Sequence, residues 1–294
     1  MTVRGFAVLA LITGIAGTSA GCKAPEPKPQ VAEAPRDPPR PAPPPRPPPV
    51  VEPKKAEPIA ARRTTIDSTR EGRPIECLEF GQGEDVVLIM ASIHGNEGAG
   101  TPLVRRLADQ ISRQPEYVQN RKLVLLPVAN PDGLARGSRG NARGVDLNRN
   151  FPAGNYKSAG SHGSSALSEP ESKAIQQVLK TYKPRRIISL HQPANTGPAC
   201  IDFDGPADAL ARAMASQCDL PIKRLGAKSG SLGSYAGLVL GIPIVTVELP
   251  KSVSTANADA LWGRYGRMLL AALRYPEAVS ANAPATGHAT TVRP

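Results

Sequence analysis

Aromatic side chains are scarce in this chain of 294 residues, with four Phe, six Tyr and one Trp making up 4% of it. There is also no zinc-finger spacing, no helix-turn-helix signature and no interleaving of aromatic with basic residues, so nucleic acid is excluded as a partner. Long apolar runs are missing too. Beyond the N-terminus none approaches the roughly 20 residues that a membrane span needs, which excludes a polytopic membrane protein. Cysteine occurs only four times, too rarely for a disulfide scaffold. A hydrophobic content of 40% excludes a wholly disordered chain.

Proline, by contrast, is abundant and unevenly placed. Of 32 prolines, 15 fall between Pro25 and Pro58. They separate an N-terminal address segment from one domain-sized stretch. Residues 1–21 read as an export signal: Arg4, an apolar run from Phe6 to Ala16, then small residues. Ser19-Ala20-Gly21-Cys22 resembles a bacterial lipobox, with Ser19 where Leu is usual. Three outcomes stay open, a lipid anchor on Cys22, ordinary cleavage to a soluble form or an uncleaved anchor, and all take the chain out of the cytoplasm. The lipid anchor, rather than a transmembrane helix, is the expected membrane partner, facing the periplasm at the cell envelope. Residues 22–58 form a Pro-rich tether. Proline fixes φ and removes donors, so the tract favours polyproline II. At about 3.1 Å per residue it holds a domain up to roughly 110 Å from its anchor. Residues 59–275 are the domain, and 276–294 read as a disordered tail.

The net charge of +11 comes partly from the tether. The excess left on the domain suits an anionic partner, although plain solubility accounts for it equally well. Cys77, Cys200 and Cys218 remain beside Cys22; an exported protein allows a Cys200–Cys218 bridge, and buried thiols are the alternative.

Within the domain, Ile75–Phe80 alternates with period two, as an antiparallel strand does. Val86–Met90, Leu123–Val128, Ile187–Leu190 and Ile244–Val247 are continuous apolar runs, which fits strands buried on both faces. Helical spacing predicts helices over Glu97–Arg113, Ala207–Gln217 and Asn257–Leu273. Another opens at Ser168-Glu169-Pro170-Glu171, where Ser168 and Glu171 have the spacing of a capping box. Tyr235 and Trp262 fall on helical stretches and read as core. Strands alternating with helices indicate an α/β fold, a sandwich with a mixed, mostly parallel sheet.

Such sheets bind ligands beyond the carboxyl ends of their strands. Four strands here run into chemistry. Val86–Met90 leads to His94 and Glu97, Leu123–Val128 to Asn130-Pro131-Asp132-Gly133 and an Arg-rich loop, Ile187–Leu190 to His191, and Ile244–Val247 to Glu248. The His94-x-x-Glu97 pair alone is weak, because short motifs recur by chance. With His191 it makes two imidazoles and a carboxylate, the three-ligand set of a catalytic zinc site that leaves a position open to water. One Zn²⁺ there acidifies water and polarises a carbonyl. Glu248, at a strand end among apolar neighbours, is the matching general base. His162 lies in a Gly/Ser loop and reads as structural.

These residues carry a resemblance. His94-x-x-Glu97, Asn130–Gly133, Gly144-Val145-Asp146-Leu147-Asn148-Arg149-Asn150-Phe151-Pro152, His191 and Thr246-Val247-Glu248 occur in the order seen in the zinc carboxypeptidase (carboxypeptidase A-like) family. The match spans about 60–273. It implies a three-layer α/β/α sandwich, zinc on His94, Glu97 and His191, and Glu248 as base. It further implies that Asp146 orients His94, Arg139 stabilises the oxyanion, and Asn148 with Arg149 hold a substrate carboxylate. Guanidinium forks suit both of those arginine roles.

The segments Arg139–Pro152 and Gly230–Tyr235 are similar to the branch of that family that cuts the amide between γ-D-glutamate and meso-diaminopimelate in murein peptides. An anionic muropeptide or peptidoglycan stem is the substrate this implies, and Arg136, Arg139, Arg143 and Arg149 agree with it. One departure is the stretch Leu225–Gly230, which has no Tyr where many family members place one, and where Lys228 offers a different donor. A carboxypeptidase trimming protein C-termini, or an inactive wall-binding lipoprotein, are the alternatives.

Overall fold

The computed structural model describes residues 57–192, 197–255 and 258–276. The export signal, nearly all of the tether and the C-terminal tail lie outside the described residues.

Seven strands form one sheet. They are β1 (Arg62–Ser68), β2 (Pro74–Phe80), β3 (Asp85–Ala91), β4 (Arg121–Leu126), β5 (Arg186–His191), β6 (Cys200–Asp204) and β7 (Ile244–Glu248). Their spatial order is β1-β2-β4-β3-β5-β7-β6. The central β4-β3-β5-β7 pairings are parallel and those at both edges antiparallel. The central runs are apolar throughout because helices cover both faces. Val87, Ile89, Ile188, Leu190, Val245 and Val247 point into one core with helices α1 (Gly100–Arg113), α4 (Asp208–Ala215) and α5 (Ala258–Arg274). Their neighbours Val86, Leu88, Met90, Ile187 and Ile244 point into the other, with α3 (Pro170–Tyr182) and Phe151. This is the expected three-layer sandwich. Among the described residues no helix is long and apolar enough to cross a membrane.

Some local expectations fail for physical reasons. Helix α1 starts at Gly100 rather than Glu97, because residues 94–98 turn back on themselves (Glu97 N–H to His94 C=O, 3.1 Å) and take Glu97 inward. Ser168 does not cap α3. Its hydroxyl bonds the Glu169 carboxylate, and Asn150 Oδ1, from a distant loop, accepts from Glu169 N–H and Ser172 Oγ. Cys77, Cys200 and Cys218 are free thiols, so no Cys200–Cys218 bridge exists. Strands β1 and β6 and the short helix α2 (Pro131–Arg136) carry too little periodicity to be read from sequence.

The topology fixes where a ligand goes. From β3 the chain moves to β4 on one side and later to β5 on the other, so the β3–β5 crevice is a switch point at the carboxyl ends of parallel strands. Register then sets His191, the last residue of β5, beside Glu248, the last of β7.

Candidate metal centre and active site

The turn after β3 is built under constraint. Ser92 is held at φ 53°, in the left-handed region, with its hydroxyl 2.8 Å from Thr101 Oγ1. A non-glycine residue there costs energy that the surroundings must supply. Asn130 supplies part of it. Its side-chain amide donates to Ile93 C=O and its Oδ1 accepts from Gly133 N–H, capping α2 and docking the two strand-end loops together. Gly95 makes the docking possible, since a Cβ there would lie 1.9 Å from the Gly133 carbonyl carbon. Gly95 N–H also donates to Arg139 C=O, tying in the Arg-rich loop.

His94, Glu97 and His191 converge from β3's turn and β5's end, and all three are buried. Their ligand atoms lie within 4.8 Å of one another. Both rings turn Nδ1 towards the same carboxylate, His94 at 2.9 Å from Oε1 and His191 at 3.0 Å from Oε2. The far nitrogens are occupied: His94 Nε2 is 3.0 Å from Asp146 Oδ1, and His191 Nε2 is 3.0 Å from Ser189 Oγ. His94 Nδ1, though near Glu97, is out of line for a hydrogen bond and has no other partner. An unsatisfied, buried ring nitrogen facing a carboxylate and a second imidazole fits a divalent cation of zinc's ligand preference.

The electrostatics follow from burial against charge. Burial alone would raise the Glu97 carboxyl, but His191 and His94 outweigh it and hold it below its usual range. Burial likewise pulls His94 down, and the carboxylates of Asp146, which meets Nε2, and of Glu97, close to Nδ1, reverse it, leaving the imidazole raised. Glu248 goes the other way: burial pushes its carboxyl up, Glu97's charge adds to that, and the nearby His and Arg only partly offset it. A carboxyl raised in this way is displaced in the direction that helps a general base take up a proton and hand it on.

Arg139 bridges the centre, with Nε 3.0 Å from Asp146 Oδ2 and Nη1 3.1 Å from Glu97 Oε1. Its loop is anchored by Asn141, whose amide donates to the buried carboxylates of Glu169 and Glu171 at 2.9 Å each. Asn148 Oδ1 accepts from Leu232 N–H, and Arg149 bonds the Asn148 carbonyl. His94, Glu97, His191, Arg139, Asn148 and Arg149 line one cavity of about 250 Å³ with Glu248 on its wall. His162 is not among its lining residues and bonds the Lys157 carbonyl instead. A larger groove of about 710 Å³, lined by Arg73, Arg105, Asp109 and Leu134 among others, gathers none of this chemistry.

The structure therefore brings His94, Glu97, His191, Glu248, Arg139, Asn148 and Arg149 to one cavity, with Asp146 behind His94, whereas Arg136 and Arg143 do not line it. It adds Ser189, two residues before His191 on the same strand face, and Asp202 and Asp204 of β6. Period-two spacing could have flagged Ser189; β6 itself gave no signal.

Comparison with known proteins agrees with this geometry. The family model described as zinc carboxypeptidase matches residues 51–196. Murein peptide amidase A of Escherichia coli K12 is 33% identical over 181 residues, covering 55% of this chain and 70% of that protein. The crystal structure of murein-tripeptide amidase from Escherichia coli O157 superposes with a TM-score of 0.61 at 26% identity, covering 76% of this chain and 95% of that one. Carboxypeptidase A from Helicoverpa armigera shares the fold, with a TM-score of 0.59 at 21% identity over 74% of this chain and 69% of that one.

Proposed function

This chain belongs to the zinc carboxypeptidase family and is a zinc metallopeptidase, and from that premise we propose that it hydrolyses peptidoglycan stem peptides, cutting the γ-D-glutamyl–meso-diaminopimelate amide. The observation that carries the reading is the convergence of the His94–Glu97–His191 triad, Glu248 and the Asn148/Arg149 pair on one cavity. The kinship to murein peptide amidases supports the substrate class.

His94, Glu97 and His191 would hold one zinc ion, which would supply an acidified water and a Lewis acid for the amide carbonyl. Asp146 fixes the His94 ring through Nε2, and Ser189 does the same for His191, so both present Nδ1. Arg149 and Asn148 receive a carboxylate of the leaving residue, the guanidinium through paired N–H donors. Glu248 takes the proton of the attacking water and delivers it to the leaving amine. Arg139, which is 42% exposed at the side chain and so open to the cavity, sets its positive charge where the carbonyl oxygen becomes negative. Export, with the domain carried on a lipid-anchored tether at Cys22, would put this chemistry in the bacterial cell envelope.

The test is digestion of defined muropeptides by the full chain, with and without a chelator, read by mass spectrometry. Chelator-sensitive release of the diaminopimelate end is the expected result. Stoichiometric zinc with no muropeptide cleavage would overturn it in favour of a carboxypeptidase that trims protein C-termini.

A further inference from the structure

Among the described residues the exposed large apolar side chains are three in a row, Leu238, Val239 and Leu240, at 61%, 50% and 43%. Single exposed aliphatics are ordinary, but a contiguous group marks a contact surface. The run is held in shape. It closes the π-helical turn Gly233–Val239, of which Gly233 to Gly237 are buried. Leu240 N–H donates to Tyr235 C=O at 3.0 Å, and Ile242 N–H to Ala236 C=O at 2.9 Å. Gly241, at φ 66°, then turns the chain towards β7. Underneath, Gly237 lies on the end of β6, where a Cβ would come 2.6 Å from Asp204 Cβ, so only glycine lets the two backbones meet. The three side chains project from a fixed knuckle.

Their place in the fold decides what they face. The knuckle precedes β7, so it lies at the amino ends of the parallel strands, whereas Glu248 and His191 stand at the carboxyl ends. The tether joins the domain at the knuckle's end. Helix α1 runs back from the carboxyl end of β3, as the crossover between parallel strands must. Ser112, in its last turn, is paired with Ile59 twice, Ile59 N–H to Ser112 C=O and Ser112 Oγ to Ile59 C=O. Lys183 and Arg185, both exposed, stand beside the knuckle, because Ile187 N–H donates to Pro243 C=O and joins the two loops. Asp85 is taken up by Arg121 and Arg186, and exposed Glu84 offsets one of the two charges, which leaves a modest positive excess.

A stable dimer buries about 800 Å² on each partner, more than three half-exposed side chains offer. A bilayer needs far less from a tethered domain, because the tether keeps it near the membrane at close to millimolar effective concentration. We infer that Leu238, Val239 and Leu240, flanked by Lys183 and Arg185, form a docking tip for a lipid bilayer with anionic headgroups. Docked there, the domain rests on the membrane with its cavity mouth turned away from the lipid, towards the wall. The inference goes beyond the amidase reading and leans only on the proposed export and tether.

The experiment puts a reporter on the tip. Val239→Trp adds an indole to the full chain, whose own single tryptophan, Trp262, lies in the first turns of α5 at the other end of the domain and serves as the control. The probe is a vesicle of phosphatidylethanolamine and phosphatidylglycerol with brominated acyl chains, which quench an indole only at contact. The Val239→Trp chain should lose emission and the wild type should keep it. Adding Leu238→Ser and Leu240→Ser should lower the docked-to-free ratio at least about tenfold, the effect of withdrawing roughly one leucine from apolar surroundings. Lys183→Glu with Arg185→Glu, or vesicles without phosphatidylglycerol, should lower it as well. An unquenched Val239→Trp chain, equal quenching of the wild type, or quenching indifferent to the serine substitutions or to phosphatidylglycerol would overturn the inference. So would sedimentation in which the wild type dimerises and the serine variant does not, which gives the tip to a second copy. None of these positions lines the cavity, so zinc affinity should stay at the wild-type value throughout. No cleavage is measured, so failure here leaves the amidase reading standing.

Discussion

Gly95 offers the sharpest test of how the metal centre is assembled, because Gly98 in the same turn serves as its control. A Cβ at position 95 would sit 1.9 Å from the Gly133 carbonyl carbon, 2.3 Å from its oxygen and 2.3 Å from Leu134 N. All three are backbone atoms and cannot rotate away. To regain an ordinary separation of about 3.5 Å, the β3 turn and the start of α2 must part by roughly 1.5 Å. The metal-binding atoms of a working site tolerate about 0.5 Å, and a misplacement of about 1 Å costs on the order of 100-fold in rate. Gly95→Ala should therefore weaken zinc binding at least tenfold. Overpacking of about 1–3 kcal/mol should lower Tm by no more than about 10 °C for a domain of this size, so the protein still folds. At Gly98 a Cβ would meet only Leu134 Cδ1, the tip of a flexible side chain, at 3.4 Å. Gly98→Ala should leave zinc affinity and Tm near wild type. Zinc affinity by chelator competition, alongside near-UV circular dichroism and calorimetry, reads all three proteins. If Gly95→Ala binds zinc as tightly as Gly98→Ala, the docking of the two loops does not position the ligands and the reasoning fails.

Glu248→Gln should bind zinc stoichiometrically yet lose about 10²–10⁴ in kcat; full turnover in the muropeptide assay would remove Glu248 from the mechanism. Asp146→Asn keeps an acceptor for His94 Nε2 but removes the charge and strands Arg139, so zinc affinity should fall about 10–100-fold; an unaltered Kd by competition would refute that positioning role. Glu171 supplies a pH signature in stability. Burial raises its carboxyl above the usual 4.5, the hydrogen bond from Asn141 offsets this only in part, and the charges of Asp132 and Glu169 add to it. A raised native pKa stabilises the fold below 4.5 and loses that contribution as pH climbs through the raised value. Glu171→Gln, neutral at every pH, should match the wild-type Tm below 4.5 and exceed it towards pH 7, as followed by calorimetry across that range; parallel profiles would show that Glu171 ionises without cost.

The central strands, their helices and the chemical triad were legible in the sequence for one reason. Runs such as Val86–Met90 and Ile187–Leu190 are buried on both faces, and buried parallel strands end in loops whose polar residues have no structural duty to obscure them. His94, Glu97, His191 and Glu248 stand directly after such runs, so reading strand ends was enough to find them. Resemblance to a family added the roles of Asp146, Asn148 and Arg149. Only the tertiary structure decided what depends on contacts between distant segments. Asn150, rather than Ser168, meets the start of α3, accepting from Glu169 N–H and Ser172 Oγ, because a loop 19 residues upstream folds over that helix end. Glu97 lies outside α1 because the turn over residues 94–98 carries its carboxylate between the His94 and His191 rings. Asp202 and Asp204 become a cavity wall because β6, too short and too polar to announce itself, adds antiparallel to β7 at the sheet edge. Local sequence records which face of a strand is buried; it does not record which strand lies next to it, and the depth and charge of this cavity are set by that neighbour.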